Sequence, residues 1–236
     1  TSNIALGTSA VRSRGSCATI CNSSGSLLFY SSYNYDFNSI GGPAFQNGEI
    51  FNSQHSTMQN GDSIVMAGWY LETVIFPWPS SDSLYYVFST NVTGNSIKGI
   101  FYSIVDMSLN GGLGGVIQKN VQLENFKTVD CLTAIKHGNG RDWWVVFRRI
   151  DGPSAPNNDF YLYLVTPGGV FVQNIQSIGS QNATNSGRFS FNSNGTRMSY
   201  INYKGLIELY DFDRCTGLIS NPVTIQPESA QAPWPG

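Results

Sequence analysis

The chain has 236 residues, of which 41% are hydrophobic and only 12% charged, and its formal net charge at pH 7 is −2. The usual charged share is roughly 25%, so this composition suits strands and turns better than surface helices. The weak net charge, with no basic cluster beyond Arg148 and Arg149, argues against nucleic acid as a partner. No apolar run approaches the ~18 residues of a membrane span, so no membrane insertion is expected.

One pattern recurs four times along the chain: an apolar run, a tight polar turn and a second apolar run, with a period of about 55 residues. In the last three copies a third alternating run follows, and then a turn and a fourth run. Short runs rich in Val, Ile, Tyr and Phe and bounded by Gly, Asn and Ser are typical of β-strands. The paired runs of the four copies are residues 18–21 with 27–30, 73–76 with 84–88, 132–135 with 143–147, and 188–191 with 198–201.

Four consecutive strands at this period indicate the blades of a β-propeller, because stacking blades face to face buries both sides of each sheet. We therefore predict an all-β fold, a β-propeller of about four four-stranded antiparallel blades, and leave open whether it is part of a larger propeller. A β-sandwich of short strands is the alternative, but it does not account for the repeat. The predicted blades are residues 16–52, 72–123, 131–178 and 187–226, and residues 227–236 are predicted to form an extended tail or linker.

The four cysteines permit two disulfides without requiring them. Cys17 and Cys21 are four residues apart in a predicted strand, so their Cα atoms are expected about 13 Å from each other. That distance is too long for a bridge unless the strand bends, and a bridge between Cys131 and Cys215 stays open. No C-x-x-C or His-x-x-x-His spacing occurs, so neither a metal nor another cofactor is expected.

Few titratable side chains are available for catalysis, since the chain has only the two histidines His55 and His137 and no triad motif. We therefore expect a chain that binds a partner and is not an enzyme. The alternative is a propeller glycan hydrolase or lyase with carboxylates and His137 at the mouth of the central channel. Two carboxylates about 5 to 9.5 Å apart in a cleft would favour that alternative.

Polar residues crowd one predicted turn, where His137, Asn139, Arg141 and Asp142 lie between the first and second runs of the third copy. These four are candidate binding residues. In the alternative interpretation Asn139 and Asp142 cap the turn through local hydrogen bonds, and Arg141 is solvated.

Aromatic residues in loops are a second candidate for binding. Tyr33 and Tyr35 fall in a long insertion over residues 31–48, and Trp78 stands between two prolines. Such rings suit the recognition of sugars or proteins, because they offer a large contact area at a low entropic cost. The alternative is that the insertion folds onto its blade with the rings inside.

Four segments stand out as a set: residues 26–30, 102–112, 132–144 and 209–217. Taken together and in this order, they resemble secreted or cell-surface propeller-like (WD-repeat-like) proteins of Bacteroidetes bacteria. That resemblance implies an exported protein, a sorting domain for type IX secretion in the parent family, and a role in adhesion or in a surface complex. It implies a protein or glycan partner at the bacterial surface, and further blades or a partner chain covering the fourth blade.

The same resemblance implies that the protein carries O-glycans. Ser63 and Ser83 each follow an aspartate and precede an aliphatic residue, which is similar to the acceptor sequence used in these bacteria. Both serines are therefore predicted glycosylation sites.

Overall fold

A computed structural model describes residues 7–12, 15–33, 48–66, 70–91, 99–151 and 154–229. The described residues form four separate antiparallel sheets and one short 3-10 turn, Asn110–Gly112, with no α-helix. Within every sheet the strands pair in chain order, as in a propeller blade. The predicted all-β propeller of four blades is confirmed, and the sandwich alternative is wrong.

Each sheet makes one blade, and the strands are numbered in chain order. Blade 1 consists of β1 (Cys17–Cys21), β2 (Leu27–Tyr33) and β3 (Gly48–Asn52). Blade 2 consists of β4 (Thr73–Pro77), β5 (Leu84–Asn91), β6 (Gly99–Asp106) and β7 (Gly115–Glu124). Blade 3 consists of β8 (Thr133–Lys136), β9 (Trp143–Arg148), β10 (Asn157–Thr166) and β11 (Gly169–Asn182). Blade 4 consists of β12 (Gly187–Phe191), β13 (Arg197–Asn202), β14 (Ile207–Phe212) and β15 (Ile219–Gln226).

Blade 1 has an irregular segment in place of a regular fourth strand. Gly48 donates its backbone N–H to Ile64 at 3.0 Å, and Ile50 donates to Gly61 at 2.8 Å, so this segment runs beside β3. The segment bends repeatedly, since His55, Asn60 and Ser63 have φ values of 62°, 58° and 56°, in the left-handed region. It pairs with β3 only through isolated bridges such as Gly48 with Ile64, so this sheet has three regular strands.

Three apolar seams between successive blades make up the core. Side chains alternate between the two faces of a strand, so each middle blade contributes to two seams. Burying one large apolar side chain stabilises the fold by about 1.5–3 kcal/mol. Representative buried residues are Phe29, Ile50 and Val87 between blades 1 and 2, Phe76, Phe88 and Phe147 between blades 2 and 3, and Trp144, Leu162 and Phe189 between blades 3 and 4.

The first strands β1, β4, β8 and β12 lie next to one another and begin at the same end of the molecule. Leu132 donates its N–H to Leu71, and Asp130 donates to Asn185, both at 3.0 Å, so the segments entering adjacent blades are bonded together there. We call this the connection end. The opposite end carries the turns between first and second strands and between third and fourth strands, and we call it the hairpin end.

Candidate ligand-binding cavity

A cavity of about 620 Å³ lies at the connection end. This volume is within the range of about 300–1,000 Å³ that small-molecule sites occupy. Blade 4 forms one side of the cavity, and the segments leading into blades 1 and 2 complete it. The lining residues are Gly15, Tyr70, Leu71, Ser186, Gly187, Arg188, Ser190, Ile201, Asn202 and Tyr203.

The side of blade 4 that faces the cavity differs in chemistry from the sides that form seams. Blade 3 presents the large apolar residues Trp144 and Val146 to blade 4. The corresponding side of blade 4 carries Arg188, Ser190 and Ser199, because Phe189 between the first two points back into the seam. The same side also carries Ile201, Ile207 and Leu209. This mixture of a guanidinium, hydroxyls and aliphatic groups suits a ligand that has both polar and apolar parts.

Asn202 forms a rigid part of the cavity wall. Its side chain is fully buried, and its Nδ2 donates to Asn182 Oδ1 at 3.2 Å and to Glu228 Oε1 at 2.6 Å. Its Oδ1 accepts the backbone N–H groups of Lys204 at 3.0 Å and Leu206 at 3.2 Å. With both ends of the amide bonded, Asn202 fixes the β13–β14 loop beside the cavity.

Asp130 lies directly behind the wall. Its carboxylate accepts the N–H of Gly187, a lining residue, at 2.7 Å. Burial raises the pKa of Asp130 to about 7, because taking the ionised carboxylate out of water is unfavourable. Asp130 is only 2% exposed, so it holds the start of β12 in place and does not reach into the cavity.

The four residues of the predicted polar turn are brought together at the hairpin end. Asn139 Oδ1 accepts the N–H groups of Arg141 and Asp142, both at 3.0 Å, and its Nδ2 donates to Asp142 Oδ2 at 2.8 Å. Arg141 binds Asp142 through Nε at 2.8 Å and Nη2 at 3.1 Å. This hydrogen bonding lowers the pKa of Asp142.

The same turn contacts blade 4. His137 Nδ1 accepts the N–H of Asn139 at 3.0 Å, which leaves the proton on Nε2, and Nε2 lies 3.0 Å from the Cys215 carbonyl oxygen. Gly138 also donates its N–H to the Arg214 carbonyl at 2.9 Å. These bonds join blades 3 and 4, and ligand binding by His137, Asn139, Arg141 and Asp142 stays a prediction.

The predicted aromatic residues lie apart from that turn. Trp78 is half-buried at the hairpin end of blade 2, where its ring stacks on Tyr86 at 4.6 Å. Tyr33 ends β2 and is only 2% exposed, so in this conformation its ring offers almost no surface to a ligand. Tyr35 lies outside the described residues.

The two predicted glycosylation sites differ in accessibility. Ser63 is exposed, and its hydroxyl donates to Asp62 at 2.9 Å. Ser83 is half-buried, and its carbonyl accepts the N–H of Met107 at 2.8 Å. A transferase would reach Ser63 more easily than Ser83, and glycosylation at either serine stays a prediction.

The bridge that the sequence left open between Cys131 and Cys215 does not form, and all four cysteines are free thiols. Cys131 precedes β8 at the connection end and is fully buried. Cys215 is in the β14–β15 turn at the hairpin end, where it packs on Gly138. The length of β8 separates the two sulfur atoms.

The described part of the chain offers neither a metal site nor a membrane-spanning helix. It contains no group of three His, Cys, Asp or Glu side chains placed to hold a metal ion. It also contains no helix with the length and apolar character needed to cross a membrane.

The cavity residues Tyr70, Ser186, Arg188 and Ser190 were not among the sequence-based candidates. The alternation of Arg188 and Ser190 with aromatic residues predicts a strand with one polar side. Nothing in the sequence pairs that side with Tyr70, which enters from another blade.

Comparisons with known proteins bear on the fold. No protein-family model and no curated protein sequence matches the chain. Among solved structures it is similar to a periplasmic gluconolactonase from Pseudomonas aeruginosa, with 13% identity and a TM-score of 0.48, over 92% of this chain and 55% of that one. An endo-arabinase from Bacteroides thetaiotaomicron gives 13% identity and a TM-score of 0.48, over 91% and 82% of the two chains. An auxiliary nutrient binding protein from the same bacterium gives 12% identity and a TM-score of 0.41, over 79% and 38%.

These likenesses correct one expectation. Two of the three proteins are enzymes by name. The prediction that this chain is not an enzyme is therefore wrong, because an enzymatic activity is not excluded. The physical reason is that few titratable residues suffice for a catalytic site, and their number in a sequence does not show where they meet. At 12–13% identity and TM-scores below 0.5, the likenesses carry no argument about what this chain does, and this chain spans about half the length of the gluconolactonase.

Proposed function

We propose that this chain is an extracellular binding module that takes a saccharide in the cavity at the connection end. The observation that supports the proposal is the composition of the cavity wall, in which the half-exposed ring of Tyr70 shares one space with Ser186, Arg188 and Ser190. A sugar ring presents apolar C–H groups and polar hydroxyls at once. An aromatic face suits the first, and hydroxyl and guanidinium groups suit the second.

A small ligand fits the cavity better than a folded protein does. A stable protein interface buries at least about 1,000 Å² with good complementarity, whereas this site is a concave space of about 620 Å³. Of the two partner classes that the sequence predicts, protein and glycan, the cavity therefore favours the glycan.

The extracytoplasmic location rests on the resemblance to exported Bacteroidetes proteins, which supports secretion or display at the cell surface and a role in adhesion or in a surface complex. Protease added to intact native cells should degrade this protein and spare a cytoplasmic marker. Survival of the protein until the cells are lysed would contradict that location.

Isothermal titration with xylan, galactan, mannan and polygalacturonate oligosaccharides tests the binding proposal. At least one of them should bind, and Tyr70→Ala should weaken that binding tenfold or more, because it removes the aromatic surface. The matched control is Phe171→Ala, which removes a ring of similar exposure (50% against 48%) from the outer strand β11. The proposal fails if no oligosaccharide binds, or if Tyr70→Ala and Phe171→Ala bind equally well.

A further inference from the structure

We infer that the saccharide carries a carboxylate, as a uronic acid does, and that Arg188 recognises this group. The inference rests on the proposed function and names its ligand class. Three observations support it: Arg188 is the charged residue of the cavity lining, no described carboxylate pairs with it, and the strand β12 holds it in a fixed position.

The cavity has a single charged lining residue among the described ones. That residue is Arg188, and the other lining residues are neutral. Two carboxyls brace the wall from outside the lining: Asp130 is buried behind Gly187, and Glu228 accepts a hydrogen bond from the side chain of Asn202 and pairs with Lys204 at 3.7 Å. A ligand with one negative charge would therefore meet an attractive field and no described carboxylate within the cavity.

Arg188 is available for a ligand, whereas three other arginines are already paired with carboxylates. Arg141, Arg149 and Arg197 form ion pairs with the aspartates Asp142, Asp151 and Asp211 at 2.8, 2.7 and 3.4 Å. Arg188 is exposed, and no carboxylate in the described part of the chain pairs with it. Its guanidinium can direct two parallel N–H groups at one carboxylate, which is the geometry that this side chain favours.

The strand β12 places Arg188 beside one hydroxyl on the same side of the sheet. Arg188 and Ser190 flank Phe189, which points into the seam, and same-face neighbours on a strand are about 7 Å apart. Ser186 precedes β12, and its hydroxyl interacts with the Asp130 carboxyl. Arg188 can therefore bind a carboxylate while Ser190 binds a neighbouring sugar hydroxyl, and a simple carboxylic acid would leave Ser190 unused.

The strand is also held rigidly, so Arg188 and Ser190 are preorganised. Arg188 pairs with Ile201 in the sheet, and the next residue, Phe189, is anchored in the seam at 5% exposure. On its other side Gly187 is bonded to Asp130. A binding group on a fixed strand loses little backbone freedom when a ligand binds.

The test compares an oligogalacturonate with its methyl ester, which keeps the sugar backbone and removes the charge. The wild-type protein should bind the acid at least tenfold more tightly than the ester. Arg188→Ala should reduce the affinity for the acid to that for the ester and leave the ester unchanged. Arg188→Lys, which keeps the charge and loses the fork, should fall between the two.

Arg197→Ala is the matched control, because it removes an exposed arginine from the same blade outside the cavity. It should bind both probes as the wild type does, and thermal melts should show that all variants are folded. Equal binding of acid and ester by the wild type overturns the inference. A loss of affinity for the acid in Arg197→Ala as large as that in Arg188→Ala also overturns it. If neutral oligosaccharides still bind in a Tyr70-dependent manner, the proposed function survives that result. If no saccharide binds at all, both proposals fail.

Discussion

The indole Nε1 of Trp144 donates a hydrogen bond to the backbone carbonyl of Arg214 at 2.7 Å. Trp144 is on β9 and Arg214 is in the β14–β15 turn, so the bond ties blade 3 to blade 4 at the hairpin end. The carbonyl of Cys215, one residue further on, lies 3.0 Å from His137 Nε2. The seam between these blades therefore combines apolar packing with directed bonds to one turn.

Gly217 in that turn tests how closely the seam is packed. It has a φ of 73°, and a Cβ at this position would lie 2.9 Å from the Trp144 ring. Gly217→Ala should lower the free energy of unfolding by about 2–4 kcal/mol, from backbone strain plus overpacking. Chemical denaturation measures the change.

The control is Gly140→Ala in the β8–β9 turn. Gly140 also has a φ of 73°, but no heavy atom lies within 4 Å of the Cβ that alanine would add. Gly140→Ala should lower the free energy of unfolding only by the backbone strain, about 1–2 kcal/mol. Equal losses for the two variants would mean that the indole does not pack tightly against Gly217.

Asp130 should make stability depend on pH. Its pKa is about 7 in the folded protein against 3.8 ordinarily, so the folded state holds the proton more tightly than the unfolded chain does. This contribution to stability is fully present below about pH 4 and is lost as pH rises to about 7, by at most about 4 kcal/mol.

Asp130→Asn keeps an oxygen to accept the Gly187 N–H and removes the titration. Between pH 4 and 7, the wild type should lose stability relative to this variant as pH rises. Denaturant titrations at several pH values measure the difference. A constant difference over that interval would show that Asp130 does not titrate there.

Arg148 is a buried cation in the seam between blades 3 and 4. Its guanidinium lies between the rings of Phe160 and Tyr200, 4.7 and 4.6 Å from their centroids, and donates to the carbonyls of Asn157 and Ser180. Arg148→Ala should cost about 2–5 kcal/mol, as other large truncations in cores do.

Arg148→Met separates volume from charge, because it fills most of the space without a guanidinium. Replacing a buried charged group with a packed apolar one is often close to neutral. We expect Arg148→Met to lose less stability than Arg148→Ala, as measured by denaturation. If the two lose the same amount, the cation–ring contacts and hydrogen bonds matter more than the volume.

The thiols should react at two rates. Cys17, Cys21 and Cys215 are exposed, and Cys131 is buried, where burial raises the pKa of its thiol. A thiol reagent should therefore label the exposed three quickly and Cys131 only after denaturation. Mass spectrometry of the labelled protein shows which thiols reacted. Loss of Cys131 and Cys215 together from the labelled set, with recovery on reduction, would reveal the bridge that the structure lacks.

Much of the fold could be predicted from the sequence, because each blade is encoded locally. Alternating apolar residues specify strands such as β13, and turn residues such as Asn139 and Asp142 make their bonds within a few positions. The missing fourth strand of blade 1 was not foreseen, because its segment is held by contacts distant in sequence, such as the 2.9 Å hydrogen bond from Asn120 Nδ2 to the Ser63 carbonyl oxygen.

The cavity could not be predicted in the same way. Tyr70 and Arg188 belong to blades far apart in sequence, and their meeting depends on how the blades are arranged around the ring. Prediction from the sequence finds candidate sites whose residues are close along the chain, such as the turn around His137. It misses sites whose residues come together only in the folded structure. Tyr33 shows a related error, because β2 extends through the buried Ser31 and Ser32 beyond the point where the sequence suggests a loop.

A crystal structure of the protein with bound oligogalacturonate tests the central claim most directly. We predict a sugar ring against Tyr70 and a carboxylate within hydrogen-bonding distance of the Arg188 guanidinium, with Ser190 bonded to a neighbouring hydroxyl. An oligosaccharide ordered instead at the turn of His137 and Asp142, with none in the cavity, would contradict the account.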